Sequence, residues 1–467
     1  MLFNSFVFIL GFLPVTLAVF YGIGRFGSRR GAALWLAAAS FVFYCWGDPA
    51  RNLAVLGASV ALNFAVGSRL SLRPDRRLLA LGVGLDLAAL AVFKYADFAA
   101  STADALLGLS VPLPGIRLPI GISFFTFTQI AFLVDCHRGL ARDPRPAHYA
   151  LFASFFPHLV AGPLIHHRAV MPQFDDPRTY RFDPSRLSYG LTYFALGLFK
   201  KAAVADPLGF HADRLFAAAA SGAVSTAEAW TGTVAYALQL YFDFSGYSDM
   251  AIGLALMFGV RLPVNFDSPY KAASIVDFWR RWHVTLSAFL RDYLYIPLGG
   301  SRRGPARRYL NLFLTMLLGG LWHGASWTFV LWGAIHGTGL MAAHLWAGRG
   351  RRLPAALSWP LTALFVLLAW VPFRAATAAE TWTVWRAMLG LGGGPGAASL
   401  PLAGALVALA FVVAAAPNSQ EIMGYGARSR WPVWSGSLGW AAATAGAFGV
   451  ALARIVDAPT YFLYFRF

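Results

Sequence analysis

Apolar segments separated by short polar loops follow one another along nearly the whole chain. A helix needs about 20 mostly apolar residues to cross a bilayer, and shorter apolar runs suit tilted or interrupted spans. The pattern predicts an all-α fold, a polytopic transmembrane helical bundle of about 11–12 membrane helices in a single domain, residues 1–467. The candidate spans are Phe3–Ile23, Ala32–Trp46, Leu53–Val66, Leu78–Phe93, Pro119–Val134, Leu187–Leu198, Ala229–Val260, Leu312–Trp322, Trp327–Leu345, Leu357–Val371, Leu400–Ala415 and Trp434–Leu452.

Two further segments are apolar but do not read as simple spans. Tyr149–Ile165 contains Pro157, Gly162 and Pro163, which favour a re-entrant or broken element. Leu262–Gly300 mixes basic residues with aromatic ones at three- and four-residue spacing. That spacing predicts one apolar stripe on a basic amphipathic helix that lies in the membrane interface. His283 falls in this segment, and its position predicts a place at the edge of a cavity entrance.

Charge changes this picture only in the loops. Charged residues make up 13% of the 467, against roughly a quarter in soluble domains, and mean hydropathy is +0.57. The net charge of +17 would suggest nucleic-acid binding in a soluble protein. This chain has no soluble fold with a basic stripe that could bind nucleic acid. We therefore exclude nucleic acid as a partner and expect the lipid bilayer as the partner instead.

Arginines cluster in every second loop. The positive-inside rule therefore places these loops in the cytoplasm and the N-terminus outside, which predicts a multi-pass membrane protein; in a bacterial inner membrane the outside is the periplasm. The first segment lacks a basic leader and a convincing cleavage site, so we expect an uncleaved first helix. The clusters are Arg25, Arg29 and Arg30; Arg69, Arg73, Arg76 and Arg77; Arg138, Arg142 and Arg145; Arg302, Arg303, Arg307 and Arg308; and Arg349, Arg351 and Arg352.

His323 stands in the middle of a segment, residues 309–343, that contains no Lys, Arg, Asp or Glu. An imidazole at membrane depth needs a partner or a function. Gly319, Gly320 and Gly324 surround it, and glycines allow close approach of a neighbouring backbone. Two interpretations stay open: a polar residue that joins helices, or a buried catalytic histidine.

Metal binding has little support in the sequence. His336 lies thirteen residues after His323, so the two would face nearly opposite sides of one continuous helix. No ligand at i, i+4 accompanies His323, and no H-E-x-x-H occurs. The two cysteines, Cys45 and Cys136, suggest neither a disulfide framework nor a zinc site. We therefore expect no metal and no bound cofactor.

Two aspartates, Asp243 and Asp249, lie inside the apolar segment Tyr241–Asp249. Buried carboxylates are costly unless they are paired or hydrated. They are candidates for the lining of a substrate tunnel or for orienting a histidine, and hydrogen bonding between helices is the alternative. No P-loop, G-x-S-x-G turn or dinucleotide fingerprint occurs. General-base activation of a hydroxyl during acyl transfer is the chemistry that suits a single embedded histidine.

Several ordered motifs resemble the membrane-bound O-acyltransferase family, and within it the bacterial alginate O-acetyltransferase branch. The resemblance covers nearly the whole chain. Its motifs are PIGISFFTFTQIAFLVD, SFFPHLVAGPLIHHRAVMPQF, GLFKKAAVAD, YFDFSGYSDMAIGLALMFGV, LPVNFDSPYKAASIVDFWRRWHVTLSAFLRDYLYIPLGG, GGLWHGASWTFVLWGAIHG and TYFLYFRF.

The resemblance implies that His323, in the WHG motif, is catalytic. It also implies that Asn265 and His283 belong to the site, and it adds Trp322 and Ser326 as candidates that line a substrate tunnel through the bundle. Acetyl-CoA, or another acyl-CoA, would be the donor substrate from the cytoplasm. Periplasmic acetyltransferase partner proteins would then modify an exported polysaccharide such as alginate.

Two functions from other classes remain as alternatives. A transporter or flippase of a lipid-linked glycan would use the same polar residues as a path without acyl chemistry, and it would predict inverted repeats of broken helices, which the sequence does not show. A structural subunit of an export complex would need the histidine only for helix packing, and it would tolerate His323→Gln.

Overall fold

The computed structural model describes residues 1–141, 145–350, 353–393, 399–426, 429–455 and 461–463, and these residues form helices and loops without a β-strand. Three arginines of the predicted cytoplasmic clusters lie outside the described residues, namely Arg142, Arg351 and Arg352. The same holds for five residues of the final motif TYFLYFRF, at positions 460 and 464–467. The all-α prediction is confirmed.

Each of the predicted spans overlaps a helix of the structure. The first helices in chain order are α1 Leu13–Phe26, α2 Arg29–Cys45, α3 Pro49–Leu72, α4 Arg76–Leu107, α5 Ile122–His137, α6 Pro146–Ser154, α7 Phe156–Leu159, α8 His167–Asp175, α9 Pro184–Phe199 and α10 Asp206–Ala220. The others are α11 Thr226–Met257, α12 Ile275–Arg281, α13 Val284–Leu290, α14 Pro305–His323, α15 Trp327–Gly348, α16 Ala355–Arg374, α17 Ala378–Arg386, α18 Leu400–Ala415, α19 Ser419–Met423 and α20 Leu438–Ile455.

Among the described residues, five helices are both long and apolar enough to cross a membrane. Two shorter apolar helices, Ile122–His137 and Leu400–Ala415, accompany them. The chain is therefore a multi-pass membrane protein, whereas a total of 11–12 spans and a tunnel stay predictions. The five are Val7–Phe26, in which a π-helical segment leads into α1, and Pro49–Leu72, Arg76–Leu107, Ala356–Arg374 and Leu438–Ile455.

The chain divides into two compact units. The first contains Met1–Leu198, Tyr247–Pro263 and the described residues from Gly436 onward, and the second contains Phe199–Gly246 and Val264–Ser435. The division falls inside α11, whose first two thirds belong to the second unit. The expectation of a single domain stays a prediction.

Aromatic side chains fill the core of the first unit. The rings of Phe3, Phe8, Phe43 and Phe156 lie 5.1–6.4 Å apart, and all four side chains are buried. Packed rings at these spacings contribute about 0.5–1.5 kcal/mol per pair beyond the area that they bury. The α6–α7 segment contributes Phe156 to this core.

The prediction of a broken element at Tyr149–Ile165 is confirmed. Helix α6 ends at Ser154, Phe155 leaves the helical conformation, and α7 continues for only four residues before the chain turns into a loop. Nearly the whole segment is buried although it is irregular. Burial inside protein is the condition under which irregular backbone is tolerated at membrane depth.

The prediction of one amphipathic helix across Leu262–Gly300 is wrong. The structure has α12, then an interruption at Trp282 and His283, then α13 and the π-helical segment Arg291–Tyr295. His283 adopts a left-handed backbone with φ of 43°, which ends any continuous helix. The apolar spacing is correct within each short helix, but the interruption turns His283 to the interior.

Helices α14 and α15 form a tightly packed hairpin. Helix α14 ends at His323 because Gly324 is extended, and α15 begins after Ser326, whose Oγ accepts a hydrogen bond from the Thr328 amide at 3.3 Å. A Cβ at Gly320 would overlap the Phe329 carbonyl oxygen and contact Gly333. Gly320 therefore serves close backbone packing, as the sequence predicted, whereas Gly319 and Gly324 lie against the side chains of Leu290 and Phe329.

Candidate active site in the second unit

His323 occupies the last position of α14, at the tip of the α14–α15 hairpin. It is 4% exposed. Its imidazole lies edge-on to three aromatic rings, with centroids 4.9 Å from Trp322, 5.0 Å from Trp332 and 5.2 Å from Phe373. The side chain thus sits among the aromatic rings of Trp322, Trp332 and Phe373.

A second histidine, His283, is fully buried and held by an asparagine. Its Nδ1 lies 3.1 Å from Oδ1 of Asn265. The same oxygen accepts the Thr285 amide at 3.3 Å and the Thr285 hydroxyl at 2.9 Å. Because Oδ1 only accepts, the proton of this hydrogen bond belongs to Nδ1, which leaves Nε2 as the basic nitrogen of the neutral ring.

Asn265 also fixes the backbone at this place. Its carbonyl accepts the Val284 amide at 2.9 Å, so its backbone and side chain together hold residues 283–285. Left-handed backbone at a residue other than glycine costs on the order of 1–3 kcal/mol and persists only where the surroundings impose it. The arrangement around Asn265 supplies that constraint for His283.

Burial lowers the pKa of His283 to about 3. His283 lies outside the candidate membrane spans, in the loop before α13. The imidazole is therefore neutral at all physiological pH values, and it is suited to accept a hydrogen bond through Nε2 rather than to carry a positive charge.

Trp322 connects the two histidines. Its ring centroid lies 4.9 Å from that of His323 and 6.4 Å from that of His283. Phe244, on α11, covers the other side of His283 with its ring 4.7 Å away. The structure therefore brings together four residues that the sequence singled out, His323, Trp322, His283 and Asn265, although they come from separate motifs.

His336 lies on the helix that follows His323. In one continuous helix the two residues would face nearly opposite sides, but Gly324 breaks that geometry and puts them on different helices of one hairpin. Trp332 contacts both rings, at 5.0 Å from His323 and 4.6 Å from His336. The Nε1 of Trp279 donates to Nδ1 of His336 at 3.2 Å. The spacing of Trp332 and His336, one helical turn, was the available signal.

Asp243 forms a buried ion pair. Lys201 Nζ lies 2.7 Å from Oδ1 of Asp243 and 2.7 Å from Oδ1 of Asp206. Lys201 belongs to the π-helical segment Lys200–Ala205, a form of helix that is frequent at functional sites. This geometry favours the alternative in which Asp243 joins helices, and a tunnel-lining role for it stays a prediction.

The remaining candidates have different surroundings. Ser326 caps α15, and its Oγ also lies 3.0 Å from the Thr328 hydroxyl. Asp249 is buried on the part of α11 that belongs to the first unit. No group of three or more potential metal ligands occurs among the residues that the structure describes.

Comparison with known proteins gives the same family that the motifs suggested. The model of the membrane-bound O-acyltransferase family matches residues 117–375, more than half of the chain. The probable alginate O-acetylase AlgI of Pseudomonas aeruginosa is 43% identical over 406 residues, which cover 84% of this chain and 75% of that protein. The chain belongs to the membrane-bound O-acyltransferase family.

Other members act on different cell-envelope polymers, as their names state. The peptidoglycan O-acetyltransferase of Helicobacter pylori is 40% identical over 427 residues, 84% of this chain and 80% of that protein. A teichoic acid D-alanyltransferase of Streptococcus thermophilus is 26% identical over 242 residues, 49% of this chain. The chain is therefore a membrane-embedded acyltransferase, and all four residues that meet around Trp322 fall inside the segment matched by the family model.

Proposed function

We propose that this acyltransferase moves an acetyl group from cytoplasmic acetyl-CoA across the bacterial inner membrane, for O-acetylation of an exported polysaccharide such as alginate. Names of the similar proteins support acetyl as the group and a polysaccharide as the final acceptor. The basic loops suit a cytoplasmic entrance, because Lys and Arg attract an anionic CoA. Periplasmic partner proteins would receive the acetyl group and complete the modification.

In the proposed mechanism His323 acts as the general base. It takes the proton of the acceptor hydroxyl while the oxygen attacks the thioester carbonyl carbon. The tetrahedral intermediate collapses with cleavage of the C–S bond, and the proton passes to the departing CoA thiolate. A general base must be neutral before it accepts the proton, so this step requires the neutral form of His323.

Trp322 and Asn265 act as positioning residues in this proposal. Trp322 packs on the imidazole of His323 and fixes its ring plane. Asn265 selects the tautomer of His283 in which Nε2 is the basic nitrogen. His283 then serves as a hydrogen-bond acceptor for the incoming hydroxyl group. The observation that carries the proposal is the burial of His323 within this cluster.

The proposal is tested with proteoliposomes that are supplied with labelled acetyl-CoA outside and a polysaccharide acceptor with its partner protein inside. Native protein in the orientation that accepts external CoA should transfer label to the inner acceptor, and His323→Ala should not. His344→Ala is the matched control, since His344 lies on α15 but hydrogen-bonds Arg308 rather than the aromatic cluster. If both the native protein and His323→Ala moved the polysaccharide across the membrane without acetylating it, the flippase alternative would be favoured.

A further inference from the structure

Two arginines depart from the charge distribution of the loops. Arg51 and Arg117 lie at the α2–α3 and α4–α5 connections, which alternate with the arginine-rich connections and are predicted to face the periplasm. Both line one pocket of about 520 Å³ in the first unit. That volume is within the range of small-molecule sites, about 300–1,000 Å³. Two basic residues on the side predicted to be periplasmic thus meet at one place.

Two donor groups at this pocket lack an acceptor. The hydroxyl of Tyr44, a residue that is 4% exposed, has no hydrogen-bond partner among the described residues, and neither has Nη2 of Arg51. Leaving such a group buried without an acceptor costs about 1–3 kcal/mol. The backbone of Tyr44 is held in place, because the Asn52 side chain donates a hydrogen bond to the Tyr44 carbonyl at 3.2 Å. The hydroxyl group of Tyr44 nevertheless gains no acceptor from the described residues.

The charge at the pocket favours an anion. Among the described residues that line the pocket, Asp48 is the one carboxylate beside Arg51 and Arg117. The contact between Arg51 Nη1 and Asp48 Oδ2 is long, at 3.9 Å. A guanidinium can bind a carboxylate through two parallel hydrogen bonds, and Nη2 is the donor left over for the second one. A carboxylate ligand would satisfy Arg51 and would offer an acceptor to the Tyr44 hydroxyl.

An aromatic side chain at the same pocket points to a sugar. Trp46 ends α2, lines the pocket and is 56% exposed. An exposed indole offers a flat apolar face with a polar edge, which suits the apolar face of a pyranose ring beside its hydroxyl groups. The residues matched by the family model begin at Arg117, so Tyr44, Trp46 and Arg51 lie outside them.

We infer that the pocket formed by Tyr44, Trp46, Arg51 and Arg117 binds a carboxylate-bearing sugar unit of the acceptor polysaccharide. This inference rests on the proposed function for the identity of the acceptor and for the side of the membrane. The arginines bind the carboxylate, Tyr44 donates to it, and Trp46 packs on the ring. The enzyme thereby recognises the acidic polymer directly, apart from the site that handles the acyl group.

The test measures binding of a uronic-acid trisaccharide to purified protein in nanodiscs, by calorimetry, with a neutral trisaccharide of the same linkage as the control ligand. Arg51→Gln should weaken binding about 10- to 100-fold, because it removes a charged hydrogen-bond donor. Tyr44→Phe should weaken it about 3- to 10-fold while leaving the melting temperature of the ligand-free protein unchanged or higher, since it deletes a donor without a partner. Arg73→Gln, an exposed arginine of an alternate loop, should bind like the native protein.

Several outcomes overturn the inference. Equal affinity of the native protein and Arg51→Gln does so, as does equal affinity for the charged and the neutral trisaccharide. Tighter binding of a short peptide through its C-terminal carboxylate would assign the pocket to a protein partner instead. Loss of sugar binding when anionic lipid is added to the nanodisc would assign it to a lipid headgroup. The two proposals can fail separately. If the native protein binds the trisaccharide but transfers no acetyl group, the proposed function fails and the assignment of this pocket stands. The same titration with His323→Ala shows whether sugar binding is independent of the residue that handles the acyl group.

Discussion

Asn265 is the residue on which the local geometry of the site depends most. One side-chain oxygen holds His283 and Thr285, and the backbone carbonyl holds Val284. The imidazole orientation, the left-handed backbone of His283 and the tautomer all follow from this single asparagine. The family resemblance singled out Asn265, but its hydrogen bond to His283, 18 residues away, is visible only in the structure.

Asn265→Ala should therefore impair the enzyme and destabilise it. The substitution leaves the buried Nδ1 of His283 and the Thr285 amide without their acceptor, which costs about 1–3 kcal/mol for each group. We expect a lower melting temperature in detergent and a lower rate of acetyl transfer. Asn265→Asp, which retains the acceptor oxygen, is the comparison; an Ala variant as active and stable as the native protein would show that the asparagine has no such role.

His283 also predicts how stability depends on pH. An unfolded histidine has a pKa of about 6.5, whereas burial lowers the pKa of His283 to about 3. Between these values the unfolded state binds more protons, so the contribution of His283 to the free energy of unfolding is complete above pH 6.5 and is lost as pH falls toward 3. The melting temperature should drop between pH 7.5 and pH 5.5, and it should drop less for His283→Gln. Identical slopes for the two proteins would contradict this assignment.

At the scale of elements, the α14–α15 hairpin places His323 and Trp332 against each other. The hairpin depends on glycines that allow the backbones to approach, and on the extended Gly324 that ends α14. The sequence predicted both helices and the close approach, because glycines beside a charge-free span are typical of closely packed membrane helices. It did not predict that His336 shares Trp332 with His323, since that contact arises from the turn between the helices.

Gly320→Ala should weaken this hairpin. The added methyl group would overlap the Phe329 carbonyl oxygen, and overpacking of this kind costs typically about 1–3 kcal/mol. Gly348→Ala is the matched control on the same hairpin, because nothing lies within 4 Å of a Cβ at that position. Thermal unfolding in detergent should show a lower melting temperature for the first variant and an unchanged or higher one for the second. Equal melting temperatures would mean that the two helices are less closely packed than described.

At the scale of elements, the sequence predicted one local break in a helix and missed another. The apolar spacing of Leu262–Gly300 predicted one stripe, and the interruption at His283 was invisible because a left-handed histidine leaves no periodic signal. The break at Phe155, by contrast, was predicted, because proline and glycine mark such breaks in the sequence itself. Helix α10 was not among the predicted spans because Asp206, Asp213 and Arg214 interrupt its apolar residues.

At the scale of the whole molecule, hydropathy predicted the helices well for a physical reason. A bilayer requires every backbone polar group to be paired within the segment, so long apolar runs have little choice but to be helical. Hydropathy carries no information on how the chain divides, and the division within α11 between Gly246 and Tyr247 was not expected. Likewise, the four site residues come from two motifs, one with Asn265 and His283 and one with Trp322 and His323, and only folding brings the two motifs together.

The predicted orientation is tested by cysteine accessibility in a variant whose two native cysteines are replaced by serine. A cysteine at Ala50, in a connection predicted to be periplasmic, should react with a membrane-impermeant thiol reagent added to spheroplasts. A cysteine at Leu72, 88% exposed beside the arginine-rich connection of α3 and α4, should react only after the membrane is permeabilised. The opposite labelling pattern would show that the protein has the reverse orientation in the membrane. It would also exclude cytoplasmic acetyl-CoA as the donor at the basic loops.

The central claim is that His323 is the general base, and the most direct test is the initial rate of CoA thiol release from acetyl-CoA in the presence of an acceptor. General-base catalysis typically contributes about 100- to 10,000-fold. His323→Ala should lower kcat by a factor in this range, with little change in KM and a melting temperature close to that of the native protein. A rate within about threefold of the native one in a well-folded His323→Ala protein would contradict the account, since general-base catalysis contributes far more.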